Sequence, residues 1–180
     1  MTRGFTHEST FNESKEWYTP KWIFDRLGTE FDLDPASPGK NIVHWIPADK
    51  HLTVLDDGLV QKWYGKVWLN PPYGMDTPKW LKRLCEHRNG MALVFSRTDT
   101  EWFHKYATQA DAICFLRGRI RFIKASGESG GTPGSGSMLL AWGDDCAGAI
   151  LGCGLGWCVD NRQAGSPDRK TWNSKKKGER

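Results

Sequence analysis

The sequence contains no long hydrophobic run. None of its 180 residues lies in an uninterrupted apolar stretch of about 18 residues, the length that a membrane-spanning helix requires. The first residues, 1–7, also lack the apolar segment of a secretory signal. We therefore expect a cytoplasmic protein with no membrane partner.

Cysteine is scarce and unpaired. There are five cysteines, an odd number, and no two of them form a CxxC pair. Because a disulfide scaffold or a zinc ribbon needs paired cysteines, the sequence argues against both and for a reducing cytoplasm. We predict structural or incidental roles for the cysteines and no metal site. They are Cys85, Cys114, Cys146, Cys153 and Cys158.

Two common nucleotide-binding motifs are absent as well. The sequence has neither a GxGxxG fingerprint nor the lysine motif of a P-loop. Their absence disfavours nicotinamide, flavin and P-loop sites.

Net charge separates a near-neutral domain from a basic tail. The formal charge is +4, and residues 161–180 contribute +5 through seven Lys/Arg and two Asp/Glu. Residues 1–15 are polar and are predicted to form a flexible N-terminus. A chain of this length fits one ordinary core, so we expect one folded domain over 16–160 and a flexible basic tail over 161–180.

Short apolar runs alternate with amphipathic stretches along the chain. Helices are predicted over 20–28, 76–88 and 98–109, with Thr19 and Thr98 as candidate caps. Strands are predicted at 31–33, 42–46, 66–69, 91–95, 112–116, 137–142 and within 146–160, and a strand or hairpin arm at 117–122. This alternation predicts an α/β domain with a mostly parallel central sheet flanked by helices.

A stiff loop rich in acceptors follows the strand predicted at 66–69. It is Asn70-Pro71-Pro72-Tyr73, and its two prolines remove two N–H donors. The nearby carbonyls and the Asn70 side chain stay free to accept hydrogen bonds, and Tyr73 adds a flat ring. Acceptors that hold both hydrogens of a conjugated NH2 group favour a nitrogen with an available lone pair. The loop is therefore either a site for the exocyclic amine of a base or for an amide, or a rigid surface turn with a capping asparagine. Its place directly after an apolar strand favours the first.

A second polar loop follows the strand predicted at 31–33. Asp34 and Pro35 begin this loop. Ligands of α/β sheets bind outside the carboxyl ends of the strands. Asp34 is thus either a ligand for an amino group or hydroxyls of a cofactor, or an ordinary turn aspartate.

Taken in order, these segments resemble the phage-type DNA N-6-adenine methyltransferases, a family that uses S-adenosylmethionine. The resemblance covers roughly residues 16–142. Its segments are 16–20 (EWYTP), 31–36 (FDLDPA), 56–59 (DDGL), 67–74 (VWLNPPYG), 97–104 (RTDTEWFH), 115–119 (FLRGR) and the strand start at 137–138. The Asn-Pro-Pro-Tyr loop alone is shared by several amino-methyltransferases, whereas the ordered set is far more specific.

The resemblance implies a Rossmann-like methyltransferase fold, with 16–160 as the catalytic domain. It implies methyl transfer from S-adenosylmethionine, without a metal, to the N6 amine of adenine in double-stranded DNA, by direct attack on a flipped-out base. The catalytic residues that it implies are Asn70, Pro71, Pro72 and Tyr73. The cofactor-binding residues that it implies are Tyr18, Thr19, Pro20, Asp34, Pro35 and Ala36 at the methionine part and Asp57 at the adenine. It also implies a phage or prophage origin, a bacterial host cytoplasm and a role in restriction–modification.

Four arginines are candidate DNA contacts. Arg97 follows the strand predicted at 91–95, and Arg117, Arg119 and Arg121 recur at every second residue, which on a strand puts them on one face. These three either contact phosphates or guanine or form a solvated edge. The lysines at 175–177 either add non-specific DNA affinity or are solvated. The ten tryptophans are either core residues or stacking surfaces for bases.

Two rival functions stay open. The loop at 70–73 also fits the amine of an RNA base or a protein glutamine, and a methyltransferase fold without activity would be a DNA-binding module. The segments 16–20 and 97–100 favour DNA, and the intact Asn70 and Asp34 favour activity. No separate target-recognition domain is visible, so we expect relaxed or very short sequence specificity, or help from dimerisation.

Overall fold

Strands and helices alternate along the chain and form one layered α/β unit. The structure is a computed structural model, and it describes residues 17–124, 127–130 and 133–162. The helices are α1 (Lys21–Leu27), α2 (Thr77–His87), α3 (Glu101–Lys105) and α4 (Asp144–Gly152), with a 3-10 helix at Ala107–Gln109. The strands are β1 (Phe31–Asp34), β2 (Ala48–His51), β3 (Val67–Leu69), β4 (Gly90–Phe95), β5 (Ala112–Leu116), β6 (Ser137–Trp142) and β7 (Gly156–Asp160).

The strands form one mixed sheet in the order β2-β1-β3-β4-β6-β5-β7. β1 pairs in parallel with β2 and β3, and β3 pairs in parallel with β4. β6 is antiparallel to both β4 and β5, and β7 is antiparallel to β5. The predicted α/β class is confirmed, but the prediction of a mostly parallel sheet was wrong. Antiparallel neighbours need no crossover helix, and no helix lies in the described residues between β5 and β6.

Local chemistry explains where α1 and α2 begin and end. α1 starts after Pro20 and ends at Gly28, whose φ of 57° is left-handed, a conformation that glycine adopts without strain. α2 buries Trp80, Leu81 and Leu84, as predicted. The prediction that Thr19 caps α1 was wrong, because Pro20 occupies the cap position and no side chain caps the helix.

Four predicted elements differ from the structure. Residues 42–46 form turns, closed by the Val43 N–H donating to the Gly39 carbonyl, and β2 follows them instead. The apolar alternation there reflects single buried residues in a turn. α3 is much shorter than the helix predicted over 98–109 and begins after Thr100. Residues 117–122 lie in no strand, and 146–160 contains most of α4 as well as β7.

The core has two halves, one on each face of the sheet. Along β4, Met91 and Leu93 belong to the half that contains α1 and α4, whereas Ala92 and Val94 belong to the half that contains α2. This alternation follows from the two-residue period of a strand. Both halves contain buried tryptophans: Trp68 in the first, and Trp63, Trp80 and Trp142 in the second. The core interpretation therefore holds for these four, while Trp22 and Trp157 are exposed.

The described helices are all short. None of them is long and apolar enough to cross a membrane. The N-terminus predicted at 1–15 and most of the tail predicted at 161–180, including the lysines at 175–177, lie outside the described residues. The domain boundaries therefore stay predictions.

Candidate active site

The carboxyl ends of β1 and β3 meet at one edge of the sheet. The two strands are parallel neighbours, so the loop that starts at Asp34 and the loop that starts at Asn70 come together beside a cavity of about 540 Å³. Nine predicted site residues line this cavity: Tyr18, Asp34, Pro35, Ala36, Asp57, Asn70, Pro71, Pro72 and Tyr73. Thr19 and Pro20 do not line it.

A wider depression of about 700 Å³ lies at the amino ends of the strands. It is lined by residues such as Gly28, Thr29, Pro47 and Lys66, which precede β1, β2 and β3. None of the predicted site residues lines it. Because α/β sheets bind ligands at the carboxyl ends of their strands, we place the candidate site in the first cavity.

Two hydrogen bonds set the orientation of the Asn70 amide. Its Nδ2 donates to the Trp17 carbonyl at 2.6 Å, and its Oδ1 accepts the Tyr73 hydroxyl at 3.1 Å. A carbonyl oxygen only accepts, so the Trp17 contact requires the nitrogen on that side. Oδ1 therefore lies on the Tyr73 side, with one acceptor position left for a further donor.

The Tyr73 ring is built into an aromatic cluster. It stacks on Phe95 with ring centroids 4.1 Å apart and an interplanar angle of 18°, and Phe122 approaches its edge at 6.1 Å. Phe95 thus covers one face of the ring and leaves at most the other face for a base. Burial raises the pKa of the Tyr73 phenol, which keeps the hydroxyl protonated and able to donate to Asn70.

Asp34 is a carboxyl held almost entirely out of water. Its side chain accepts the Ala36 N–H at 3.2 Å and lies 3.8 Å from Nδ1 of His51. Burial raises the pKa of the Asp34 carboxyl to about 7, although its hydrogen bonds with Ala36 and Ser37 work in the other direction. The carboxyl therefore changes charge near neutral pH. A positively charged ligand group in the cavity would favour its ionised form.

His51 and Ser37 link Asp34 to β2. His51 Nε2 lies 3.1 Å from the Ala48 carbonyl, so that nitrogen carries a hydrogen, and Nδ1 lies 2.8 Å from the Ser37 hydroxyl. Burial lowers the pKa of His51, so the ring favours its neutral form, and Nδ1 competes with the Asp34 carboxylate for the single hydrogen of the Ser37 hydroxyl. Ser37 also accepts the Gly39 N–H at 3.0 Å, which braces the loop after β1.

The segment with Asp57 and Gly58 closes the cavity on another side. Asp57 is exposed, with a left-handed φ of 51°, and its carboxylate accepts the Leu59 N–H at 3.2 Å. Gly58 packs directly on the loop after β1, because a Cβ added there would collide with the Pro35 carbonyl and meet the Trp80 ring at 3.1 Å. Only glycine therefore allows these two loops to approach so closely.

The N-terminal segment crosses the cavity and is fixed by backbone bonds. Tyr18 exchanges two 2.9 Å hydrogen bonds with Ile123, and Trp45 donates to the Thr19 carbonyl at 2.8 Å. Thr19 is fully buried, and its hydroxyl has no hydrogen-bond partner among the described residues. The segment thus brings Trp17 and Tyr18 to the cavity, while Thr19 and Pro20 lie behind that wall.

Most of the chain matches one known protein family. A model of the family DNA N-6-adenine-methyltransferase (Dam) matches residues 8–146, most of the chain. The chain belongs to this family. The family predicted from the sequence is therefore confirmed, and with it a DNA adenine methyltransferase as the class of enzyme. Searches of curated proteins and of solved structures returned no match.

In this Dam family member, the candidate DNA-binding arginines lie outside the cavity. All four are exposed, and none lines the cavity. Arg97 follows β4 and Arg117 follows β5, two strands that run in the same direction as β1 and β3. The two arginines therefore lie at the carboxyl ends of these strands, as the cavity does at the ends of β1 and β3. Because 117–122 is not a strand, the argument that a strand puts Arg117, Arg119 and Arg121 on one face does not apply, and their role stays a prediction.

Several residues of the site were not predicted from the sequence. Trp17, Ser37 and Trp80 line the cavity, His51 lies behind Asp34, and Phe95 stacks on Tyr73. Trp17 lies inside the 16–20 segment of the family resemblance and Ser37 directly follows the 31–36 segment, so both carried a usable signal. Trp80, His51 and Phe95 come from other elements, and their contacts depend on strand order.

Proposed function

We propose that this chain transfers the methyl group of S-adenosylmethionine to the N6 amine of adenine in double-stranded DNA, on a Rossmann-like methyltransferase fold. The observation that carries the proposal is the meeting of the acceptor-rich loop at 70–73 with the buried Asp34 in one cavity. The family name supplies the base and the atom that is methylated. The cavity offers space and polar groups for the two reactants.

The residues of the cavity fit S-adenosylmethionine. The cavity volume of about 540 Å³ lies in the range of small-molecule sites. When bound, this cofactor supplies a methyl group on a sulfonium and carries a positively charged amino group. Asp34, with Pro35 and Ala36, would hold the methionine part, because its ionised carboxylate is the buried negative group of the cavity. Asp57, at the exposed end, would contact the adenine part.

Asn70 and the Pro71 carbonyl would hold the target amine. Oδ1 of Asn70 has an acceptor position left after the bond from Tyr73, and the backbone carbonyl supplies a second acceptor. Holding both amine hydrogens raises the nucleophilicity of the nitrogen and aligns its lone pair for direct attack. This effect is electrostatic preorganisation together with positioning.

Adenine has to leave the duplex to reach this loop. Flipping a base out costs a few kcal/mol of pairing and stacking, and stacking on the Tyr73 face opposite Phe95 would return roughly 1–3 kcal/mol. The exposed Arg97, Arg117 and Arg119 follow β4 and β5 at the same edge of the sheet. We propose that they contact the phosphates around the flipped base and that sequence specificity is relaxed or very short.

Methyl transfer to duplex DNA tests the proposal. Purified chain is incubated with labelled S-adenosylmethionine and unmethylated duplex DNA, and the product nucleosides are separated. We expect N6-methyladenine from the wild type and a loss of roughly 100-fold in Asn70→Ala, since one preorganised contact is worth that much. Asn161→Ala is the matched control, because that amide donates to Ala110 near β5 and lies outside the cavity.

The other outcomes favour the rival functions. Cofactor binding without label in DNA would contradict the choice of substrate and point to an RNA base or a protein glutamine. No cofactor binding at all would leave an inactive DNA-binding module. Methylation confined to one long motif would contradict the expectation of short specificity.

A further inference from the structure

Three cysteines that are distant in the sequence form one cluster. The sulfur atoms of Cys114, Cys153 and Cys158 all lie within 4.8 Å of one another. Cys114 and Cys153 are buried, and Cys158 is half-buried. Among the residues that the structure describes, no other three His, Cys, Asp or Glu side chains are grouped in this way.

The pairing of β5 with β7 brings two of these sulfurs together. Cys114 lies directly opposite Cys158 in the antiparallel ladder. The flanking pairs Asp111–Asn161 and Arg117–Leu155 carry backbone hydrogen bonds. Because hydrogen-bonded pairs alternate with non-hydrogen-bonded pairs, Cys114 and Cys158 form a non-hydrogen-bonded pair, the kind with the closer side chains.

A turn rich in glycine adds the third sulfur. Cys153 follows the last turn of α4, and Gly154 after it has a left-handed φ of 66°. A Cβ at Gly156 would collide with the Phe115 carbonyl. The chain can therefore turn from α4 into β7 tightly enough to place Cys153 over the Cys114–Cys158 pair.

We propose that Cys114, Cys153 and Cys158 bind one thiophilic d10 cation, with Zn²⁺ as the physiological candidate. Thiolates are soft ligands that select such ions over hard ones. Zn–S bonds of about 2.3 Å set sulfurs about 3.8 Å apart in a tetrahedral site. The sulfurs, all within 4.8 Å of one another, therefore need to move together by at most about 1 Å. The thiol protons pass to solvent as the metal binds. Water at the half-buried Cys158 would complete the coordination.

The electrostatics around the cluster favour a cation. The Cys158 sulfur lies 3.5 Å from the Ile150 carbonyl in the last turn of α4. Helix carboxyl ends carry partial negative charge, which attracts a cation.

The position of the cluster predicts a structural metal. β7 is the edge strand of the sheet. The candidate active site begins at the end of β3, and two strands, β4 and β6, separate β3 from β5. A cation here would tie α4 to the sheet edge. The inference therefore holds whether or not the chain methylates DNA.

Titration of the full-length chain with metal tests the proposal. The protein is reduced, stripped of metal and titrated with Cd²⁺, whose thiolate bonds give a charge-transfer absorption, and Zn²⁺ is then added as a competitor. We expect one equivalent per chain, a rise in melting temperature on binding, and an affinity at least roughly tenfold lower in Cys158→Ala. Cys85→Ala and Cys146→Ala are matched controls, since both cysteines are buried outside the cluster.

Two results would overturn the proposal. One is that fully reduced wild type, titrated with Cd²⁺, shows no stoichiometric charge-transfer band. A protein that is isolated with a disulfide in the cluster counts in the same way if it binds no Cd²⁺ after reduction. The other is an equal affinity in wild type and Cys158→Ala. Circular dichroism checks that the variants fold, and Cys158→Ser replaces Cys158→Ala if the alanine variant does not.

Discussion

At the scale of single residues, the buried Asp34 carboxyl couples the site to pH. In the unfolded chain it ionises near its ordinary value of 3.8, whereas burial raises its pKa to about 7 in the folded chain. Between these values the folded state binds more protons than the unfolded state. The free energy of unfolding therefore falls as pH rises from about 4 to about 7, and this contribution is constant above that range.

The Asp34→Asn variant isolates this effect. Asparagine still accepts the Ala36 N–H but carries no charge, so we expect the variant to be more stable than wild type near pH 8, by an amount on the order of a few kcal/mol. The difference should disappear near pH 4. Urea unfolding across this pH range measures the difference. If the free energy of unfolding changed with pH equally in the two proteins, the raised pKa of Asp34 would be contradicted. Because the same change removes the negative charge, we also expect weaker binding of S-adenosylmethionine.

His51 works in the opposite direction. Its pKa is lowered by burial, so its contribution to stability is lost as pH falls below about 6.5. Both proteins contain this histidine. Comparison of wild type with Asp34→Asn therefore separates the aspartate from the imidazole.

At the scale of elements, the site depends on two loops that touch through a glycine. Gly58 lies against the Pro35 carbonyl and Trp80, and Trp63 donates to its carbonyl at 2.8 Å. We expect Gly58→Ala to push the loop after β1 away and to destabilise the fold by roughly 1–3 kcal/mol, the usual result of overpacking. Binding of S-adenosylmethionine should weaken as well, because the loop with Asp34 moves.

A second glycine gives the matched control. Gly148 is exposed in α4, and a Cβ there meets no atom within 4 Å. Gly148→Ala should raise stability by roughly 0.5–1 kcal/mol through helix propensity and leave cofactor binding unchanged. Thermal unfolding and calorimetric titration compare the two variants. A Gly58→Ala protein that behaves like Gly148→Ala would show that the two loops do not need this contact.

At the scale of the whole molecule, strand direction places charge beside the cavity. β4 and β5 run in the same direction as β1 and β3 despite the antiparallel β6 between them. Arg97, Arg117 and Arg119 therefore follow strand ends on the same edge as the cavity. Most of the basic tail lies outside the described residues, so these arginines are the proposed DNA contacts that can be placed in the fold.

Salt dependence of DNA binding tests that surface. Each phosphate contact that is removed should lower the slope of log K against log salt concentration by about 1. We expect this result for Arg117→Gln and for Arg97→Gln. Arg26→Gln is the control, because this exposed arginine lies in the last turn of α1, shortly before the amino end of β1. Equal slopes for Arg26→Gln and Arg117→Gln would show that DNA does not approach from the cavity edge.

Sequence patterns predicted the elements that depend on neighbouring residues. The buried strands β1, β3, β4, β5 and β6 and the amphipathic α2 were predicted close to their observed positions. Patterns failed where apolar residues are buried singly, as at 42–46, and where a helix is short, as at α3. Periodicity is informative only over several turns of a helix or several residues of a strand.

By itself, the sequence determined the family, the α/β class and the two loops that supply the candidate site, because these follow from motifs and local periodicity. The tertiary structure decided which distant residues meet. Strand order places His51 behind Asp34 and Phe95 against Tyr73. The antiparallel return of β7 onto β5 also assembles the three cysteines. Such contacts depend on strand direction and register, which are properties of pairs of segments and do not appear in the pattern of either segment alone.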